Sequence, residues 1–344
     1  MTLTLGLESS CDETAVAVVE DGHRVLAEVI ASQADDFAVW GGVVPEIAAR
    51  GHVLSLPTII ERCLTQCQRT LADLDVIAVG AWPGLIGSLL TGVTAAKVIA
   101  ARRHLPLIAV DHIEAHLAAV HLDRPQVPYP LVGLVVSGGH SHFYRATAPG
   151  QLTLLGGTID DAAGEAYDKA AAMLDLGYPG GPTVDRLAAE GDAKRFPLPR
   201  SFRDDATLRL SFAGLKTALL YTVRGPLGRD PLRLDAQGVR DACASFQAAV
   251  VEVLTVKLLL AAKREHVRVI AIGGGVACNR GLRERLQHEA LKRGLTLLVP
   301  QAKYCTDNAA MIAALGHQKW LRGEVADLTL TPLPSGSAGP RRVK

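Results

Sequence analysis

One plan, written twice along 344 residues, constrains the fold of this chain more than any other feature. Residues 3–7 form an apolar run that reads as a strand, and Glu8-Ser9-Ser10-Cys11-Asp12-Glu13-Thr14 follows as a polar turn. Residues 15–19 return as a second strand, and the Asp21-Gly22 turn introduces a third over 24–30. Residues 131–136, then Ser137-Gly138-Gly139-His140-Ser141, then residues 142–145 repeat the hairpin. Each hairpin has a later partner, a strand that runs into a glycine-containing turn and then a helix. In the first half this is 76–80, Pro83-Gly84 and a helix containing 88–101. In the second it is 267–272, Gly273-Gly274-Gly275-Val276-Ala277-Cys278-Asn279 and a helix from Arg280. Two lobes built on one plan are the simplest account, and the length leaves each enough chain for a core.

Glycine-rich tips facing glycine-rich turns line a cleft with backbone N–H groups, which suit phosphate oxygens. Either turn alone says no more than a tight bend; both types in both halves point to a nucleotide cleft between two lobes. The arrangement resembles the actin, Hsp70 and sugar-kinase (ASKHA) superfamily. That resemblance implies an α/β fold in which each lobe is a ribonuclease-H-like mixed sheet flanked by helices. The expected N-terminal lobe is 1–128, completed by a C-terminal helix over 307–323, and the expected C-terminal lobe is 129–306. A helical insertion is expected at about 159–225. In it, Ile159-Asp160-Asp161 caps a helix over 163–175, and Gly177-Tyr178-Pro179-Gly180-Gly181-Pro182 breaks it before a second helix from Thr183. The tail over 328–344, with Pro332, Pro334, Gly336, Gly339 and Pro340, is expected to be disordered.

The stretch Asp111-His112-Ile113-Glu114-Ala115-His116 carries the most chemistry. If it opens a helix, His112 and His116 share one face, the geometry in which two neutral imidazoles hold one metal ion. Glu114 lies two residues from each histidine and points elsewhere, so the stretch lacks the base of the zinc-protease motif H-E-x-x-H. A third ligand must come from a distant segment. In Cys305-Thr306-Asp307-Asn308-Ala309-Ala310-Met311, Asp307 precedes a helix and suits either of two roles, helix cap or hard oxygen ligand.

Composition excludes little. Aromatics make up 4% of the chain and the formal charge is +1, so no global field demands a nucleic-acid partner. Lys194, Arg195, Arg200, Arg203, Arg209 and Lys216 do interleave with Phe196, Phe202 and Phe212, a pattern that serves either a nucleic-acid backbone or a solvated loop edge. The six cysteines are scattered without a C-x-x-C pair, which suits a reducing cytosol, and Cys63 with Cys67 reads as a helical pair. With no basic leader and no run of transmembrane length, a cytoplasmic protein without a membrane partner is expected. The apolar residues over 54–64 are expected to face a core.

Several motifs, in order, then carry a resemblance: Glu8 to Thr14 as quoted, Gly41-Gly42-Val43-Val44-Pro45-Glu46, Pro83-Gly84-Leu85, His112 with His116, Val136-Ser137-Gly138-Gly139-His140, Gly164-Glu165-Ala166-Tyr167-Asp168-Lys169, the Gly273-Gly274-Gly275 turn and the Asp307 segment. Together, from residue 6 to about 323, they resemble the bacterial tRNA threonylcarbamoyladenosine transferases, the TsaD family. The resemblance implies that His112, His116 and Asp307 hold one divalent metal ion per subunit, iron(II) ahead of zinc. It implies substrate or nucleotide contacts at Val136, Ser137, Gly138, Gly139, His140, Asp168, Gly181, Asp185 and Asn279, and a role in activity for Asp12. Two departures stand out. Asp111 precedes the first metal histidine where the family often has histidine or asparagine, which adds negative charge near the metal. Ala213 stands in Ser211-Phe212-Ala213-Gly214-Leu215-Lys216-Thr217 where the family has serine.

The activity implied is transfer of the threonylcarbamoyl group of threonylcarbamoyl-AMP to the exocyclic amine of the adenosine 3′ of the anticodon, in tRNAs reading codons that start with A. The implied companions are a shorter paralogue, TsaB, and an ATPase, TsaE. A small-molecule kinase of the same superfamily explains the lobes but not a His-His-Asp site, and a metallopeptidase explains the metal but lacks its base. A non-catalytic scaffold leaves the crowded polar motifs unexplained.

Overall fold

A computed structural model describes residues 1–37 and 42–335. Gly41 of the Gly41–Glu46 motif and residues 336–344 of the tail lie outside the described residues. The chain divides into two compact units, one of Met1–Val127, Ala148–Gln151 and Lys303–Lys344, the other of Pro128–Thr147 and Leu152–Ala302.

The first unit is a five-stranded sheet of β1 (Leu3–Glu8), β2 (Glu13–Glu20), β3 (Arg24–Ser32), β4 (Val76–Trp82) and β5 (Leu107–Asp111), in the order β3-β2-β1-β4-β5. β1 pairs antiparallel with β2 and parallel with β4, a mixed ladder that requires helical crossovers. Its helices are α1 (Ala34–Phe37), α2 (Pro45–Gln66), α3 (Ile86–Arg103), α4 (His112–Ala118) and, from the far end of the chain, the helix Ala309–Leu321. Strand alternation divides the core in two. Val16 and Val18 join Leu5, Leu7, Leu56, Ile59 and Val93 on the α2/α3 face, while Ala15, Ala17 and Val19 join Ala78, Ala310 and Ala313 on the other. That second face is built from small residues. A Cβ on Gly6 would come within 2.3 Å of the Ala309 carbonyl oxygen, and one on Gly316 within 2.3 Å of Ala78 Cβ. The C-terminal helix therefore lies directly on the sheet, which fixes the turn before it. On α2, Leu56, Ile59, Cys63 and Leu64 are buried, whereas Val53 and Leu54 are exposed. The expectation of core holds for one face of an amphipathic helix and fails for Leu54.

The second unit repeats the plan with β6 (Leu131–Val136), β7 (Ser141–Ala148), β8 (Gln151–Gly157), β9 (Val269–Gly273) and β10 (Thr296–Leu298), ordered β10-β9-β6-β7-β8. Its helices are α5 (Ala163–Met173), α6 (Gly180–Ala188), α7 (Ala213–Arg224), α8 (Ala236–Arg264) and α9 (Arg280–Arg293), and the C-terminal helix of the first unit is α10. α8 is long and apolar enough to cross a membrane, contrary to the sequence reading, but 72% of that stretch is buried within the protein, as befits a core helix.

Three local expectations change. Asp160 and Asp161 do not cap α5: Asp160 accepts from Ser211 Oγ and from Phe212 N, at 2.8 Å, and Asp161 pairs with Lys169 and Lys216. The α6 helix begins at Gly180, not Thr183, because the Asp168 carboxylate accepts the Gly180 N–H (2.8 Å) at its first turn. Between α6 and α7 the chain is irregular and is held along α8 by side chains of successive turns. Asp192 N donates to Asp241, Phe196 N donates to Ser245, and Arg200 and Arg203 pair with Glu252. The fully buried Lys257 donates to the Asp205 carboxylate (2.6 Å) and to the carbonyls of Asp205 and Thr207. Four of the six cations interleaved with phenylalanines in this stretch, Arg200, Arg203, Arg209 and Lys216, are thus in ion pairs.

Candidate metal centre and glycine-loop site

The two histidines enter on α4, which starts where β5 ends. Asp111 is its N-cap, accepting from the N–H groups of Ile113 (2.8 Å) and Glu114 (3.1 Å). Burial raises the pKa of Asp111, and those two N–H groups oppose the rise. The charge expected near the metal is therefore engaged at a helix N-terminus. His112 and His116 are buried on one face of the helix, ring centroids 4.6 Å apart and edge to face.

Asp307 comes from the turn before α10, and the cap of that helix is its neighbour. Asn308 Oδ1 accepts from Met311 N (2.8 Å), while Glu28 of β3 accepts from the N–H groups of Ala309 (3.0 Å) and Ala310 (2.9 Å). With the helix start satisfied, Asp307 turns to the histidines: Oδ1 lies 3.3 Å from His116 Nε2 and 3.6 Å from His112 Nε2. The three ligand atoms fall within 4.8 Å of one another. Neither ring nitrogen of the fully buried His116 makes a well-formed hydrogen bond, a cost that a metal ion would remove. The donor set, two imidazoles and one carboxylate, suits iron(II) or zinc with coordination positions left open.

Sequence reasoning missed the residue behind His112. Glu8 Oε2 lies 3.2 Å from His112 Nδ1, with Ser10 Oγ also at 3.2 Å, so a carboxylate orients the ring from its far side. Gly80 makes room for it, since a Cβ there would stand 2.7 Å from Glu8 Oε2. The only sequence signal was the acidic residue that ends β1 and begins the polar turn.

Electrostatics follow from this crowding. Burial alone would lower the His112 pKa, but the charges of Asp307 and Glu8 raise it to about 10. Burial and the neighbouring His112 lower that of His116. Glu13 is raised to about 9 by burial and then by Asp307 and Asp12, and burial raises the Cys11 thiol with the help of the same two carboxylates. Asp12 is half-buried in the β1–β2 turn, beside this acidic group. The turn is braced from α2: buried His52 contacts the Cys11 carbonyl through Nε2 (2.9 Å) and Thr14 Oγ1 through Nδ1 (2.7 Å).

The remaining candidates gather in the second unit. Val136 ends β6, and its carbonyl is covered by Gly274, whose φ of 91° and 2.4 Å approach exclude a Cβ. Ser137 N donates to the His140 carbonyl (2.8 Å), closing the Ser137–His140 turn, and Gly164 N at the start of α5 donates to the Ser137 carbonyl (3.1 Å). At Gly138, Gly139, Gly181 and Gly275 a Cβ would meet nothing within 4 Å beyond the adjoining residues, so space beside their backbone is open to a ligand. Asp168 accepts Gly180 N, and burial raises its pKa against that bond. Asn279 is the N-cap of α9, and Asp185 of α6 accepts from Arg280 N (3.1 Å). Gln247 of α8, which the sequence did not single out, touches both: Nε2 is 2.9 Å from Asp185 Oδ1, and Oε1 is 2.7 Å from Asn279 Nδ2. The Ala213 departure sits at the first residue of α7, where the start of the helix is held by Asp160.

Comparison with known proteins places these features in a family. The profile of TsaD, tRNA N6-adenosine threonylcarbamoyltransferase, matches residues 24–314. A protein of that name from Geobacter metallireducens is 49% identical over 331 residues, 96% of each chain, and one from Geobacter sulfurreducens is 48% identical over 328 residues, 95% of each. Among solved structures, HypF of T. kodakarensis aligns with a TM-score of 0.61 at 15% identity, over 96% of this chain and 48% of its own. Component A of (R)-2-hydroxyglutaryl-CoA dehydratase from Acidaminococcus fermentans aligns with a TM-score of 0.53 at 16% identity, over 93% of this chain and 99% of its own. These two likenesses concern the fold alone, the actin/Hsp70/sugar-kinase type. By profile, by identity and by near-complete coverage, the chain belongs to the TsaD family of tRNA N6-adenosine threonylcarbamoyltransferases.

Proposed function

We propose that the chain transfers the threonylcarbamoyl group of threonylcarbamoyl-AMP to the exocyclic amine of the adenosine 3′ of the anticodon, in tRNAs reading codons that start with A. The observation that carries the reading is the His112–His116–Asp307 group, its two histidines buried, within a chain alike over 96% of its length to a transferase of that name. These three residues would hold one divalent ion, iron(II) ahead of zinc, which when bound supplies a Lewis acid. The donor is a mixed anhydride, so the protein has chiefly to orient reactants and stabilise charge.

The open backbone of Gly138, Gly139 and Gly275 supports binding of the adenylate through N–H groups, with Val136, Ser137, His140, Asp168, Gly181, Asp185 and Asn279 as its further contacts. Asp12 is assigned to the attacking amine. As the adenine nitrogen bonds to the carbamoyl carbon, the carbon–oxygen bond to phosphate breaks, AMP leaves with its electron pair, and the amine proton passes to Asp12. The setting is cytoplasmic, with TsaB and TsaE as companions.

The test is incorporation of labelled threonine into tRNA by a mixture of donor synthase, companions and this chain, with His116→Ala and Asp307→Asn beside the wild type and metal content measured on each. Label that depends on the wild-type chain, with label and metal both lost in the variants, is expected. A silent wild type, under conditions where a Geobacter relative labels the same tRNA, would overturn the proposal.

A further inference from the structure

Four hydrogen bonds in the second unit form a circuit whose direction is fixed at one end. Leu282 N donates to Asn279 Oδ1 (2.8 Å), an ordinary helix cap. A backbone N–H can only donate, so Asn279 must turn its Nδ2 towards Gln247 Oε1, at 2.7 Å. Gln247 must then present its Nε2 to Asp185 Oδ1, at 2.9 Å. Arg280 N closes the circuit on Asp185 Oδ2, at 3.1 Å. Tyr167 stands beside it, its hydroxyl 3.4 Å from Asn279 Nδ2 and 3.5 Å from Gln247 Oε1. Space for the amide comes from Gly281, where a Cβ would lie 2.9 Å from Gln247 Nε2.

We propose that Gln247 is a positioning residue for the transfer reaction, one that holds Asp185 of α6 and Asn279 at the start of α9 in a single orientation towards the adenylate. This rests on the function proposed above. Among the four polar side chains of the circuit, only Gln247 bonds both Asp185 and Asn279. A carboxylate accepts and an ammonium donates; an amide meets an acceptor on one side and a donor on the other without a net charge, through two separate atoms that reach both partners. Asp185, half-buried, receives donors on both oxygens and keeps lone pairs for hydroxyl groups of a ligand.

Reversing donor and acceptor between Gln247 and Asp185 tests the assignment. Gln247→Glu sets two acceptors face to face at Asp185, and Asp185→Asn sets two donors face to face at Gln247. The double variant restores every bond with the polarity of one reversed: the new amide at position 185 would donate to the new carboxylate at position 247 while its oxygen still accepts from Arg280 N. In the labelled-threonine assay, Gln247→Glu is expected to raise the KM for the donor adenylate by about tenfold, the effect of one lost charge-assisted bond, Asp185→Asn to raise it further because a ligand-facing oxygen is lost as well, and the double variant to recover about tenfold relative to Asp185→Asn without reaching wild type. Gly281→Ala, a conservative change, is expected to raise KM by a few-fold and serves if the single variants fold poorly. Loss of kcat and Tm at unchanged KM, or a double variant no better than the worse single, would overturn the proposal. Transfer absent from the wild-type chain would refute the parent function instead. The circuit would then stand or fall on whether the double variant melts above both singles.

Discussion

Gly274 is where a single methyl group tests how the glycine turn was built. Its φ is 91°, a conformation that side-chain-bearing residues adopt at a cost of about 1–3 kcal/mol. A Cβ would also stand 2.4 Å from the Val136 carbonyl oxygen and 2.7 Å from its carbon. Those atoms belong to the end of β6, paired on both sides, and cannot swing away as a flexible side chain could. Overpacking of this kind costs about 1–3 kcal/mol more, so Gly274→Ala is expected to destabilise the second unit by about 2–6 kcal/mol. Gly275→Ala is the control, with no atom within 4 Å of its Cβ, and should stay within about 0.5 kcal/mol of wild type. Urea unfolding gives the global number, and hydrogen exchange of β6 and β9 amides gives the local one, since a chain of two units need not unfold in one step. Equal midpoints and equal exchange protection for the two variants would refute the steric reading of the turn.

Two further outcomes concern the metal centre. With its pKa raised to about 10, His112 carries a proton at neutral pH in the metal-free protein, and that ion pair contributes stability fully present below the ordinary pKa near 6.5 and lost as pH rises through about 10. Binding iron(II) or zinc must expel the proton, so calorimetry in buffers of different ionisation enthalpy should show proton release and an affinity that climbs with pH; uptake independent of buffer would contradict the assignment of His112. Asp111→Asn should retain the α4 cap and the full metal content, whereas Asp111→Ala should cost about 1 kcal/mol, and metal loss in the asparagine variant would show that the carboxylate acts on the ion after all.

Much of the fold was legible because it is a matter of local period and punctuation. Apolar runs of strand length, polar or glycine tips and the doubling of the plan follow from one-dimensional pattern, and the two sheets share one strand order, β3-β2-β1-β4-β5 matched by β8-β7-β6-β9-β10. The pairing of His112 with His116 was legible for the same reason, as four residues make about one helical turn. Start and stop signals were less dependable. Asp160 and Asp161 looked like caps, yet Lys169, Lys216 and the start of α7 claimed them, and where no run of transmembrane length was expected, α8 is long and apolar enough for one and is buried in the protein interior instead.

The sequence by itself determined the doubled strand plan, the helical histidine pair and the order of motifs that marks the family. Only the tertiary structure decided which polar groups meet. Asp307 faces the histidines because Asn308 and Glu28 take up the N-terminus of α10; Glu8 stands behind His112 because Gly80 leaves it room; Gln247 joins Asp185 to Asn279 across three helices. The physical reason is the same in each case. A hydrogen bond or an ion pair depends on distance and direction between groups far apart along the chain, and a linear pattern holds neither until the sheet and its helices have brought them together.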